Sequence, residues 1–405
     1  MADVDVVVVG GGIAGSSLAY ALASAGREVA VLEASTEFED RVRGEQMHAW
    51  GVAEARDLGV EQVLLDAGAH VTTVWRQYTE GAPEPAELPV SIMVPGVAGT
   101  LNLRHPAACQ ALIDAAGRAG AQVDRGVSDI EVTRNGAMTV SYQRDGKRHT
   151  LRAPLVVGAD GRGSTVRRQA GIELHRDEPI NYIAGLLLDD LAVPDDHDAI
   201  VSEGDLFLVL FHQGGGRARA YLVAGKSGQH RFAGREATQR FLDALPLKTF
   251  PWAEQLAAGT PAGPCATYPG DDTWTEHPYA EGVVLVGDAA GWNDPVIGEG
   301  LSISMRDVRV ARDLILAGAR GPGDFAPYGA ERHERMRRLR LLADVVSVTF
   351  AEDADNRAAR RAWVGQRMAT MDPELFPYFA AILAGPETLP PELVDESILE
   401  RIRTA

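Results

Sequence analysis

The first 33 residues constrain the fold of this chain more than any other segment does. They contain an apolar run from Val4 to Val9, interrupted only by Asp5, and then Gly10-Gly11-Gly12-Ile13-Ala14-Gly15. A helical stretch follows, and after it Val29-Ala30-Val31-Leu32-Glu33. This order predicts a buried strand, a glycine-rich turn, a helix and a second strand that ends in an acid, which is typical of a doubly wound α/β sheet.

The glycines of this turn and the terminal acid are suited to binding an adenine dinucleotide. Gly10 permits a tight turn, Gly12 lets the backbone approach a pyrophosphate, and Gly15 lets the helix pack closely on the strand. The helix N-terminus offers unpaired N–H groups and a partial positive charge to the phosphates. Glu33 stands where a carboxylate accepts both ribose hydroxyls and repels a 2′-phosphate, so permanently bound NADP is not expected. The same predicted site includes Ile13, Ala14 and Ala34.

Composition and charge exclude several classes of partner. The 405 residues are 45% hydrophobic and 24% charged, as in a globular protein with a large core and two interleaved domains. The net charge of −18 argues against nucleic acid or an anionic membrane as the main partner. The basic stretch 331–340 is a local exception, and we expect it to be a solvated helix face.

The sequence shows no signal for a membrane, a targeting peptide or a metal. No segment reaches the ~18 apolar residues that span a bilayer, and the chain starts with acidic residues that lead into a strand. We therefore expect a cytoplasmic protein without membrane insertion. The ten histidines show no metal-ligand spacing, and Cys109 and Cys265 are expected to be packed thiols.

Two kinds of segment alternate along the chain. Glycine-rich α/β patterns cover residues 1–70, 101–175 and 276–345, whereas β-branched and aromatic residues dominate 71–100 and 176–275. Residues 346–405 read as helices broken by prolines. We predict an α/β fold in which a discontinuous Rossmann-like domain is interleaved with a β-sheet domain and followed by a C-terminal helical segment.

One hairpin is expected in the β-sheet domain. Two apolar runs, Asp205–His212 and Arg217–Ala224, flank Gln213-Gly214-Gly215-Gly216. Residues 207, 209 and 211 fall on one side of the first strand and residues 206, 208 and 210 on the other, and both sets are apolar. Helices can cover one face and a ligand pocket the other, although ordinary core packing also explains the pattern.

Two further strand–turn–helix motifs follow in the chain. The stretch from Leu155 to Arg167 is an apolar strand, then a turn with Asp160 and Gly161, then a helix start. The stretch from Gly282 to Leu301 is a second buried strand that ends in Gly287-Asp288 and continues into a Pro-x-x-Gly-x-Gly loop.

Together, in this order, the three motifs resemble those of FAD-dependent monooxygenases of the para-hydroxybenzoate hydroxylase type, over roughly residues 3–345. The resemblance implies a cofactor domain of the glutathione-reductase type. Asp288 would contact the flavin ribitol or the diphosphate, and Asp160 belongs to a motif used for FAD and nicotinamide contacts. The loop with Pro295, Gly298, Gly300 and Leu301 would meet the flavin ring, with Pro295 near its reactive carbon.

Two arginines match further positions of the same family. Arg43 corresponds to an arginine that reaches the FAD pyrophosphate, and Arg104, at a helix start, corresponds to another that contacts the cofactor. The planar guanidinium suits both places because it can satisfy two oxygens at once.

The family's chemistry implies a monooxygenase. NAD(P)H would reduce the flavin, O₂ would form a flavin C4a-hydroperoxide, and one oxygen atom would hydroxylate or epoxidise an apolar, aromatic or polyketide-like small molecule. The chain has no second nucleotide-binding fold, so NAD(P)H would bind transiently, or a separate flavin reductase would use it. Tyr221, His212, Trp75 and Tyr78 lie on segments expected to line the pocket, and Tyr221, His212 and Pro295 are the candidate catalytic residues.

Three alternatives stay open. A reductase of isoprenoid double bonds shares the Gly-Asp-Ala-Ala-Gly turn at residues 287–291. A flavin-dependent halogenase shares the cofactor motifs, but the Trp-x-Trp-x-Ile-Pro segment of that group is absent. A non-catalytic protein of the same fold would not need the Asp160 motif or the loop after Pro295.

Overall fold

The computed structural model describes residues 2–82, 84–135 and 137–405, which form both helices and strands. The helices of this part of the chain are α1 (Ile13–Ser24), α2 (Ala49–Asp57), α3 (Glu61–Asp66), α4 (His105–Arg118), α5 (Thr165–Gln169), α6 (Ala237–Asp243), α7 (Ala253–Ala257), α8 (Gly300–Leu316), α9 (Pro322–Phe350), α10 (Arg357–Ala369), α11 (Phe376–Ala384) and α12 (Ser397–Arg403).

The strands are β1 (Ala2–Asp3), β2 (Val6–Val9), β3 (Val29–Glu33), β4 (Gln46–Met47), β5 (His70–Thr72), β6 (Val74–Thr79), β7 (Ala86–Pro89), β8 (Thr100–Asn102), β9 (Gln122–Arg125), β10 (Ser128–Asn135), β11 (Ala137–Arg144), β12 (Lys147–Ala153), β13 (Leu155–Gly158), β14 (His175–Arg176), β15 (Asn181–Asp189), β16 (Asp198–Glu203), β17 (Leu206–His212), β18 (Ala218–Gly225), β19 (Thr260–Pro261), β20 (Ala266–Gly270), β21 (Thr273–Trp274), β22 (Tyr279–Ala280) and β23 (Val283–Leu285). Two small sheets, β4-β8-β5 and β14-β21, accompany the three larger ones described below.

A six-stranded sheet in the order β22-β23-β13-β2-β3-β9 forms the centre of the cofactor domain. The strands from β23 to β9 run parallel, and only the edge strand β22 is antiparallel. Both faces are covered, which explains why all four residues of β2 are apolar and buried. Val6 and Val8 pack with α1, whereas Val7 and Val9 pack against the sheet β1-β12-β11-β10. The predicted doubly wound fold is therefore confirmed.

An eight-stranded sheet is built from strands of residues 74–89 and 181–270. Its order is β19-β15-β18-β17-β16-β6-β7, and β20 also pairs with β15. The predicted hairpin is confirmed, because β17 and β18 are antiparallel neighbours. The two faces of β17 have different covers: Leu206, Leu208 and Leu210 pack against α6 and α7, whereas Phe207, Val209 and Phe211 face a cavity.

The C-terminal residues form four helices that pack together. Helix α9 is 29 residues long and runs without interruption through residue 345, where the sequence suggested a boundary. Helices α10, α11 and α12 all contact α9. Pro377 lies in the first turn of α11, where a missing N–H breaks no helical hydrogen bond, so this proline starts a helix.

Among the described residues, no helix combines the length and apolar character that crossing a membrane requires.

Candidate cofactor and substrate site

A cavity of about 600 Å³ lies at the carboxyl ends of the parallel strands and continues along one face of the eight-stranded sheet. The turns that leave such strands point N–H groups at a ligand, so this edge is the usual binding position in open parallel sheets. The cavity is lined by most of the predicted cofactor residues: Gly10, Gly12, Ile13, Ala14, Glu33, Ala34, Arg43, Asp160, Asp288, Pro295, Gly298, Gly300 and Leu301.

The glycines of the turn between β2 and α1 have different roles. Gly10 has φ of +101°, and a Cβ there would lie 2.3 Å from the Ala159 carbonyl oxygen. A Cβ on Gly15 would lie 1.9 Å from the Gly10 carbonyl oxygen, so Gly15 holds helix and turn in contact and does not line the cavity. A Cβ on Gly12 would meet no described atom within 4 Å. Gly12 therefore leaves room for a ligand.

Glu33 ends β3 on the cavity wall and is held in place by the backbone. Its carboxylate accepts hydrogen bonds from the N–H groups of Gly11 and Ser35, both at 2.7 Å. Each carboxylate oxygen keeps a further lone pair, which is what two ribose hydroxyls need.

Three guanidinium groups, those of Arg41, Arg43 and Arg162, line the cavity near Asp288. Burial and the charge of Arg162 lower the pKa of Arg43, which shows how closely these positive charges are gathered. Arg162 donates from Nε to Asp288 at 3.3 Å. A cluster of guanidinium groups on a cleft wall favours a diphosphate.

Asp160 holds the turn after β13. Its carboxylate accepts hydrogen bonds from the N–H groups of Thr165 at 2.6 Å and Val166 at 3.1 Å, and from the hydroxyl of Ser164 at 2.5 Å. The side chain thus stabilises the start of α5, and the turn it holds forms part of the cavity wall.

The loop from Asp294 to Gly300 brings the N-terminus of a long helix to the cavity. Asp294 accepts from the N–H of Val296 at 2.9 Å and from the Asn181 side chain at 2.6 Å. Gly298 adopts φ of +69°, and α8 begins two residues later. A Cβ on Gly300 would meet no atom of the described residues within 4 Å, so the helix N-terminus is open to the cavity. Its partial positive charge can stabilise a negatively charged ring edge.

Two residues of the segment after Arg43 fix this loop from the other side. His48 donates from Nε2 to the Ile297 carbonyl at 2.8 Å, and burial lowers its pKa to about 4, so the ring is neutral. Trp50 donates from Nε1 to Glu299 at 3.0 Å. Burial raises the pKa of Glu299 well above its usual value.

Tyr221 lines the cavity as part of a buried polar cluster. Its hydroxyl donates to Glu45, which also accepts from Nε of Arg219 at 3.1 Å. Arg219 in turn donates to Asp40 at 2.6 Å. Burial raises the pKa of both Glu45 and Tyr221.

Besides Gly15, two predicted site residues do not line the cavity. Arg104 is exposed at the start of α4 and donates to the carbonyls of Gln213 and Gly214 at 3.3 and 3.4 Å. His212 is buried on the opposite face of β17, because alternation places it with Leu210. Neither side chain therefore lines the cavity in this structure. The same alternation along β6 places Trp75 in the cavity wall and Tyr78 on the far face, beside His197.

The basic stretch 331–340 also differs from the expectation of a solvated face. Arg332 and Arg335 are only 2% and 3% exposed, and both donate to the buried carboxylate of Asp307. Although burial alone raises the pKa of Asp307, these two charges hold it below its usual value. Arg332 also donates to the carbonyls of Ala290 and Gly291 at 3.1 and 2.8 Å, so it fixes the turn that carries Asp288.

Sequence reasoning missed one wall of the cavity altogether. Side chains of the C-terminal helices enclose its apolar end: Val346, Phe350, Met368, Phe376, Phe379, Ile382 and Leu383. The helical spacing of apolar residues on α11 was the only available signal, and it predicts burial rather than contact with a ligand.

These features define a doubly wound fold whose cleft fits an adenine dinucleotide. Gly12 and Gly300 leave open space at two helix N-termini, Glu33 suits a ribose, and the arginine cluster suits a diphosphate. The family model described as the FAD binding domain matches residues 3–341. The chain belongs to this family of FAD-binding proteins, whose motifs its sequence contains.

Known proteins similar to this chain cover several reactions. Squalene epoxidase 3 of Arabidopsis thaliana is 25% identical over 77% of this chain, which spans only 60% of that protein's length. A digeranylgeranylglycerophospholipid reductase of Methanothrix thermoacetophila is 28% identical over 82% of the chain and 83% of its own length.

Solved structures at lower identity share the fold. The flavin-dependent brominase Bmp2 superposes with a TM-score of 0.77 at 16% identity, covering 98% of each chain. The anhydrotetracycline hydroxylase OxyS of Streptomyces rimosus gives a TM-score of 0.71 at 20% identity, covering 94% of this chain and 76% of its own.

Proposed function

We propose that this protein is a monooxygenase that uses NAD(P)H and O₂ to transfer one oxygen atom to an uncharged, apolar small molecule. One observation carries the proposal: the cofactor cleft and an apolar chamber are parts of one continuous cavity. The two parts meet at the loop from Pro295 to Ile297. The family resemblance to hydroxylases of the para-hydroxybenzoate type and the similarity to squalene epoxidases support the same class of reaction.

The cofactor residues have separate roles in this proposal. Gly12 and the N-terminus of α1 receive the diphosphate, Glu33 holds the adenosine ribose, and Arg43 and Asp288 hold the diphosphate and ribitol region. The N-terminus of α8 at Gly300, which is open to the cavity, would stabilise negative charge on the flavin ring. Bound FAD supplies the redox and oxygen chemistry, and the protein supplies position and electrostatics.

The remaining residues shape the place where the substrate reacts. Val296 and Ile297 pack with Phe211, Val209 and Val223 into one apolar cluster, so the side chains of this wall offer water no hydrogen-bond partner. Exclusion of water from an active site protects reactive intermediates from hydrolysis. Tyr221 and Glu45 are the polar groups on this wall that can hold or move a proton at a substrate oxygen.

The test is oxygen incorporation by the FAD-loaded protein. We expect NAD(P)H consumption that is stimulated by an apolar substrate and a product that carries one atom from ¹⁸O₂, with water taking the other. A Gly12→Val protein, which should not bind FAD, serves as the matched control. A product that contains no label would refute the proposal.

A second candidate function is reduction of isoprenoid double bonds. The 28% identity to an archaeal reductase over most of both chains favours it. The same experiment decides between the two, because a reductase would give a product with two added hydrogen atoms and no ¹⁸O, and would work without oxygen. Halogenation has weaker support, since none of the described residues lining the cavity is a lysine.

A further inference from the structure

The apolar part of the cavity runs along strand β17. Phe211, Val209 and Phe207 face it in turn, and four residues of strand span about 13 Å. Phe211 lies at one end, with its ring centroid 6.5 Å from that of Trp75 and 6.0 Å from that of Tyr221. Phe207 lies at the other end, stacked on Phe350 at 5.1 Å. The chamber is therefore elongated.

The far end of this chamber belongs to the C-terminal helices. Phe350 ends α9, and the ring of Phe379 on α11 meets it edge-on at 6.4 Å. Met368 of α10 and Ile382 of α11 line the same end. All four residues lie beyond residue 341, where the match to the family model stops.

The chamber wall is mostly apolar along its length. The polar side chains Glu45, Gln46 and Tyr221 line the cavity near Phe211. Between that end and Phe379, most of the described lining is apolar: Ile183, Ile200, Phe207, Val209, Val223, Val346, Phe350, Met368, Phe376, Ile382 and Leu383. Gln77 of β6 and Glu87 of β7 also line the cavity, and the Glu87 carboxylate is already paired with Arg76. An ionised group placed there would lose its hydration without gaining a partner.

We propose, building on the monooxygenase function above, that the substrate is an elongated, uncharged aliphatic chain and that Phe379 sets its length. One end of the chain lies at the loop from Pro295 to Ile297, and the other stops against Phe379 and Phe350. Phe379 is thus a specificity-determining residue. Each additional methylene that finds apolar cover strengthens binding about fourfold, so a wall at this position discriminates sharply between homologues.

The experiment measures how affinity depends on chain length. The FAD-loaded full chain is titrated with the linear terpene hydrocarbons myrcene, β-farnesene and squalene, and dissociation constants are followed by tryptophan fluorescence. Phe379→Ala should improve the affinity for a longer homologue relative to a shorter one by about tenfold or more, because it opens the end wall. Ile382→Phe, which fills the same end, should shift the preference toward shorter homologues.

A matched control separates the end wall from general loosening. Phe241→Leu removes similar bulk from the core on the opposite face of the sheet, and we expect it to leave the length profile unchanged, whereas Phe379→Leu shifts it in the direction of Phe379→Ala. Profiles that stay unchanged, or that scale equally for all homologues, in Phe379→Ala and Ile382→Phe would overturn the assignment. A wild-type protein that shows the length profile but incorporates no ¹⁸O would instead reject the proposed function alone.

Discussion

Gly12→Val is the sharpest test of the cofactor site because it should weaken FAD binding strongly and change the stability of the protein little. A Cβ at this position meets no described atom within 4 Å, and φ is −73°, a value that valine adopts without strain. Gly12 is the N-cap of α1, where valine is less favourable than glycine, so we expect a stability loss of only about 1 kcal/mol.

The effect on FAD should be much larger. The valine side chain would occupy the space that the diphosphate needs and would keep it from the N–H groups at the start of α1. Loss of two hydrogen bonds to a charged group costs about 1.5–3 kcal/mol each. That corresponds to at least about a hundredfold weaker FAD binding. Titration of the apoprotein by flavin fluorescence measures the affinity, and thermal unfolding measures the stability.

Two controls make the result decisive. Gly323→Val places the same side chain on exposed helix surface with open space around it, and should change neither property. Gly15→Val would place a Cβ 1.9 Å from the Gly10 carbonyl oxygen and should disrupt the fold itself. If the Gly12→Val protein folds normally and binds FAD with wild-type affinity, this turn is not the phosphate site.

Three further predictions concern the residues around the cleft. Asp288→Ala should lower the flavin content of the purified protein while Tm changes little, because Asp288 lines the cleft and is only partly buried; full occupancy would contradict its role. Arg332→Met should lower the free energy of unfolding in urea by about 3–5 kcal/mol, because the buried Asp307 carboxylate and the Gly291 carbonyl lose this donor. A loss below about 1 kcal/mol would contradict this role of Arg332. Burial raises the pKa of Asp344 to about 7, so the unfolded chain releases this proton at lower pH than the folded one, and stability falls as pH rises toward 7. Asp344→Asn should therefore raise Tm more at about pH 8 than at about pH 5, whereas an equal effect at both would refute the shift.

The sequence predicted the cofactor half of the molecule well because its signals are local. The glycines and Glu33 lie within one βαβ unit, and the backbone turn that requires them also positions them. The two later motifs, with Asp160 and Asp288, follow buried parallel strands, and the carboxyl ends of such strands meet at one edge of the sheet.

The positions of the other candidate residues depend on contacts between segments that are distant in sequence. The side of β17 that His212 occupies follows from alternation, but which side faces the ligand is decided by helices distant in sequence. Arg104 starts a helix as predicted, yet the carbonyls of Gln213 and Gly214 take its guanidinium. The charge of Arg332 gave no hint of burial, because its partner Asp307 lies 25 residues away on another helix.

The loop from Asp294 to Gly300 shows why the two halves of the site act as one unit. Asn181 of the eight-stranded sheet donates to both Asp294, at 2.6 Å, and Ser347 of α9, at 3.0 Å. His48, from the segment after β3, holds the same loop at Ile297. The loop that faces the cofactor is therefore fixed by the sheet and helix that also wall the substrate chamber. Because these anchors are buried, a shift of the chamber wall should also move this loop, and under the proposed function substrate fit and cofactor position would be coupled by direct contact.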